Sequence, residues 1–158
     1  MRIVRRMLPL VAVIALVITL VVPVSVSSDP DFDEFFMTSA GQPGNPELLP
    51  LLLPVWAIVL IAAATVWIPR WPALWTVFAF LGALMLFVLP AILVLDPPYL
   101  LWDGWDEAND RAVGGMVEAQ PTLGTALWAV GSLSLTASGV LGILEAVLAL
   151  AKRPARPR

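Results

Sequence analysis

A chain of 158 residues is one domain by length, and 59% of it is hydrophobic against 13% charged, more apolar surface than a water-soluble domain of this size can hide. The formal net charge is −3 and the chain has neither cysteine nor histidine. That excludes disulfides, thiolate and imidazole metal sites, haem ligation by histidine, and acid–base chemistry by Cys or His.

The first element is a basic start, residues 1–6 with Arg2, Arg5 and Arg6, followed by an uncharged apolar run over 7–27. About 20 apolar residues suffice to cross a hydrocarbon core of about 30 Å, so this run is expected to be transmembrane helix 1. A cleaved signal peptide is the alternative, and the length of the apolar stretch argues against it. Residues 28–47 form an acidic loop.

The second run, 48–68, carries Pro50 in its first turn and Pro54 one turn deeper, where a kink of the outer end is expected. Residues 69–72, Pro69-Arg70-Trp71-Pro72, form a turn so short that the third run, 73–95, must return as an antiparallel neighbour. Pro90 is expected to bend that third helix near its far end. A second acidic loop over 96–122 leads to the fourth run, 123–151, and residues 152–158 form a basic tail. None of these runs alternates with period two as a lipid-facing barrel strand does. The expected fold is therefore an all-α integral membrane protein, a four-transmembrane-helix up-down bundle with two acidic extracytoplasmic loops.

Charge distribution orients it. Arg2, Arg5, Arg6, Arg70, Lys152, Arg153, Arg156 and Arg158 fall on one side, while every acidic residue except Glu145 falls in the two loops on the other. The positive-inside rule then places both termini in the cytoplasm of a cell (plasma) membrane. Trp67, Trp71 and Trp75 at the cytoplasmic turn, and Trp102, Trp105 and Trp128 toward the other side, are read as interfacial belts.

Few residues point to chemistry. The segment Asp29-Pro30-Asp31-Phe32-Asp33-Glu34 starts like a calcium loop. It departs from that pattern where Glu34 replaces the sharp-turn glycine and Ala40 replaces the closing glutamate. The acidic loops, including Asp103 to Asp110, therefore read as solvated surface. No catalytic constellation, cofactor motif or metal site is present, and the chain is expected not to be an enzyme. The single Lys152 against eight arginines, with the acidic excess, fits a GC-rich genome or a high-salt habitat equally.

The fourth run is the most informative. Gly131, Ser134, Ser138, Gly142, Ala146 and Ala149 recur at helical spacing, a small-residue face of the kind that lets backbones approach in lipid. Packing within the chain and association with a membrane-protein partner or a second copy are both open to it. Glu145 lies on the same face about 10 Å from the cytoplasmic end. A charge at that depth needs a partner, and Arg70 is the expected one, with Lys152 or Arg5 as substitutes. Besides the lipid bilayer, the expected role is that of a non-catalytic scaffold or accessory subunit. A small oligomeric transporter or channel using Glu145 is the alternative, and nucleic acid is not an expected partner.

Overall fold

A computed structural model describes residues 2–29, 35–42, 49–68, 72–106, 108 and 110–151. The described chain is mostly helical, with α1 over Arg2–Ile18, α2 over Leu49–Thr65, α3 over Pro72–Leu95 and α4 over Leu123–Ala151. It is not all-α: β1 (Ser25–Ser27), β2 (Tyr99–Asp106) and β3 (Arg111–Pro121) form an antiparallel sheet in the order β1-β3-β2. The helices pack as neighbours α1 to α2, α2 to α3, α3 to α4, and α4 back to α1.

The first expected span is displaced. Helix α1 begins at Arg2 and stops at Ile18, and part of the remainder of 7–27 becomes β1. The stop has a local cause. The hydroxyl of Thr19 donates to the carbonyls of Ala15 and Leu16 (2.9 and 3.0 Å), Ser39 Oγ donates to Leu16 O (2.7 Å), and the Ser39 amide donates to Thr19 O (2.9 Å). Carbonyls that end a helix need such partners, and Pro23 follows shortly after.

Residues 99–121, expected as loop, form a hairpin in which Trp102 faces Gly115 and Asp106 faces Arg111. Alternation along β3 buries Val117 and Ala119 while Met116 and Gln120 stay exposed, as a sheet with one covered face requires. Asp110 turns the hairpin at φ 48°, a left-handed conformation that aspartate tolerates better than most side chains. The other edge, β1, pairs Ser25 with Pro121 and Ser27 with Ala119, and Met37 bridges to Ser25 on its far side.

The start of α4 locks this sheet to the helices. Thr122 accepts from the Gly124 amide (3.1 Å) while its own amide donates to Thr125 Oγ1 (2.9 Å). This is a reciprocal cap. The same two hydroxyls also donate across the chain, Thr122 to Pro23 O and Thr125 to Val24 O. Gly124 sits against that backbone so closely that a Cβ would collide with the Pro23 carbonyl.

One core runs from the sheet through the helices, including Leu16, Val24, Val59, Leu86, Ala119, Trp128 and Leu135. A smaller cluster of Val66, Trp75 and Ala79 lies at the opposite end. α3 over Leu74–Leu95 and α4 over Leu123–Leu148 are long and apolar enough to cross a membrane, and only 33% and 44% of their most apolar windows are buried.

Candidate functional site

Of four α4 residues spaced by seven, Gly131, Ser138 and Glu145 follow α1, and Gly124 meets the chain just past its end. Gly124 meets Pro23, and Gly131 lies close to Ala12 Cα. Ser138 donates to the Arg5 carbonyl (2.8 Å), and Glu145 pairs with the Arg5 side chain (2.5 Å). A strict seven-residue spacing keeps one seam in register between two gently coiled helices.

The Ser138 bond has a covalent cause. An α-helical carbonyl accepts from the amide four residues on, and for Arg5 that position is Pro9, which has no N–H. Pro9 lies inside α1 and is fully buried. Ser138, itself 0% exposed, supplies from α4 the donor that α1 lacks, so an orphaned carbonyl in one helix recruits a hydroxyl from the other.

Beside it, charge and aromatic groups from three helices converge. The Arg5 and Glu145 side chains are 17% and 21% exposed, and the Arg5 guanidinium lies 5.0 Å from the centroid of the Trp75 ring on α3, within cation–π range. The Trp75 ring in turn fills the space over Gly142, where even a methyl group would overlap it. Arg6 stacks in the same way on Trp67, 5.4 Å from its centroid. Arg5 Nε, Trp75 Nε1 and Glu145 Oε1 are buried without a hydrogen-bond partner among the described residues.

Thus Glu145 meets Arg5. The partner expected first, Arg70, lies outside the described residues, as does Lys152. Of the expected packing face, Gly131, Ser138 and Gly142 are engaged by α1 and α3, and Ser134 is buried but bonds to Gly131 O of its own helix (2.7 Å). Ala146 is exposed, and the Ala149 side chain is outside the described residues. Two small residues not expected on the face complete it toward α3: Ser132 donates to Ala83 O (2.7 Å), and Gly139 receives the edge of Phe80. Spacing by seven from Gly124 and from Ser132 was the available signal.

Two tryptophans expected at interfaces are interior. Trp75 and Trp128 are each 2% exposed, and the Trp128 indole donates to Thr19 Oγ1 (3.0 Å). An indole N–H with a buried partner packs as a core residue. Trp67, by contrast, is 46% exposed. Residues 30–34 and Glu107 of the acidic segments lie outside the described residues, and among those described no three acidic side chains gather as a metal site.

The chain matches no protein-family model, no curated protein and no solved structure, so its functional reading rests on this geometry. The seam makes a direct prediction. Ser138→Ala leaves the Arg5 carbonyl unpaired between the two helices and is expected to cost about 1–3 kcal/mol of stability. In a Pro9→Ala background, where the helix has its own donor, thermal melting in detergent should show less than half that loss. Equal losses in both backgrounds would refute the complementation.

Proposed function

We propose that the chain is a four-span integral membrane protein with both termini in the cytoplasm and its sheet on the opposite side, serving as a non-catalytic scaffold or accessory subunit of a membrane complex. The observation that carries this reading is the inverted distribution of polarity. Only 33% and 44% of the most apolar windows of α3 and α4 are buried, whereas Thr19, Ser132, Ser134 and Ser138 are buried. A soluble domain would bury the apolar windows. Lipid offers no hydrogen bonds, so polar groups turn inward and apolar ones outward.

The shorter helices fit the same reading. α1 and α2 have 17 residues each, about 25 Å of helix, at the low end of what spans a bilayer. Both present apolar side chains outward, among them Ile14 and Val17 on α1 and Leu53 and Leu60 on α2. Because α1 supplies half of the seam with α4, it is read as a retained helix. Arg2, Arg5 and Arg6 at the start of α1, Arg70 between α2 and α3, and the basic tail after α4 support the orientation through the positive-inside rule.

The scaffold reading is favoured over transport by the state of Glu145. Its carboxylate is held by Arg5 near the end of the helices, whereas transport sites are typically built at the midplane from broken helices. With Gly131, Ser138 and Gly142 of the small face engaged by α1 and α3, association with a partner would use the exposed end of that face at Ala146, the remaining apolar faces or the sheet.

Because the chain has no cysteine, topology can be tested with single introduced thiols. Ser28→Cys and Asp110→Cys should react with a membrane-impermeant maleimide in intact cells, and Ala151→Cys only after permeabilisation. The opposite pattern would reverse the orientation, and release of the protein by alkaline carbonate would refute membrane insertion.

Purification at native level should retain a stoichiometric partner, identifiable by intact mass. A homo-oligomer without a partner would favour the channel or transporter. Under the scaffold reading, Glu145→Gln lowers the melting temperature and leaves ion flux in proteoliposomes unchanged; lost flux at full stability would support the transport alternative.

A further inference from the structure

At the sheet end of the helices, α2 and α3 part around an apolar cavity of about 350 Å³. Val55 of α2 and Met85, Val88 and Leu89 of α3 line its sides, Met37 closes it toward the sheet, and the Trp128 ring of α4 forms its inner wall. A smaller cavity of about 160 Å³ shares Met37 and Leu89 and continues beneath the sheet toward Phe35 and Pro98.

Three donors at or near these walls are committed elsewhere, and Gln42 lies on the smaller cavity. The Trp128 indole N–H donates to Thr19, Ser25 Oγ donates to Phe35 O (2.6 Å), and the Trp56 indole donates to Ser39 O (2.8 Å). An apolar cavity with its neighbouring donors turned away stays dry and accepts hydrocarbon, and this one has the volume of an ordinary ligand site. The larger cavity is lined by apolar side chains apart from the Trp128 indole, and a helix about 10 Å across does not fit.

The mouth determines the direction of entry. Val88 at the rim is 46% exposed and is continuous along α3 with Leu84 and Phe87, 58% and 56% exposed. The cavity therefore opens onto the same apolar flank that the bilayer covers in the reading above. We infer that it is a binding site for one hydrocarbon tail of a bilayer phospholipid from the leaflet at the sheet end. The flexible side chains of Met37 and Met85 adapt the walls to a mobile chain, and a tail can enter laterally without crossing water. The inference rests on the membrane reading.

The test reconstitutes the full chain in phosphatidylcholine vesicles containing a phosphatidylcholine with a diazirine in its acyl chain, irradiates them, and maps the labelled residues by mass spectrometry. Leu144, exposed on α4, reports ordinary surrounding lipid. Labelling at Val55, Met85 and Met37 is expected to exceed that at Leu144 by about tenfold, the ratio for a site roughly 1.4 kcal/mol better than bulk lipid. Val88→Trp at the exposed rim and Val55→Phe on the opposite wall should each bring cavity labelling down to the Leu144 level while Leu144 labelling is unchanged.

Cavity labelling no higher than at Leu144, or unaffected by both variants, would overturn the tail site alone. Absence of label at Leu144 as well would overturn the membrane reading with it.

Discussion

The packing of α1 against α4 depends on a missing hydrogen. Pro9 removes the amide that would have closed the helix onto the Arg5 carbonyl, and Ser138 restores the bond from the facing helix. For that hydroxyl to reach a backbone oxygen, the two helices must lie close, and Gly131 against Ala12 and Gly124 against Pro23 permit the approach. An unpaired carbonyl between helices is costly in any apolar surrounding, so the bond specifies both the spacing and the register of the seam. The Arg5–Glu145 pair then falls into place about two turns further along α4, with the guanidinium covered by Trp75.

The other end of the seam is tied by backbone carbonyls of a different origin. After α1 stops, the chain at Pro23 and Val24 has carbonyls directed at α4, and the two threonines that cap α4 donate to them. The same short segment continues as β1 and pairs with β3, so the sheet is attached through the start of α4 and not merely laid on the helices. Ser39 adds a third tie, donating to Leu16 and Thr19 of the α1 end and accepting from Trp56 of α2.

These ties engage hydroxyls of the helices, among them Thr19, Ser132 and Ser138, while Arg5 Nε, Trp75 Nε1 and Glu145 Oε1 stay buried without a partner among the described residues. Large apolar side chains such as Leu84, Phe87 and Leu133 remain exposed on the helices of this protein. In water, burial of apolar area would dominate its stability. In lipid that drive is absent between helices, and close packing with inter-helical hydrogen bonds takes its place. The abundance of glycine, serine and threonine at the α4 contacts fits the second regime.

Much of this was legible in the residues. Long apolar runs between charged segments identify helices because period and length suffice for them, and Glu145 stands out as a lone charge within such a run. The sheet was not legible: β1 is three residues long, and β2 and β3 carry the Gly and Asp that usually mark loops. The ion pair was legible only as a choice among Arg70, Lys152 and Arg5, since Arg5 and Glu145 are 140 positions apart in the chain and these residues are equally eligible by charge. The burial of Trp75 and Trp128 was hidden because an indole near a helix end suits an interface or a core equally well by composition. The sequence by itself determined which segments are helical and apolar, since local hydrophobicity and backbone preference suffice for that. Only the tertiary structure decided which hydroxyl meets which carbonyl, which arginine meets Glu145 and where α1 ends, because each depends on distant segments brought together by packing.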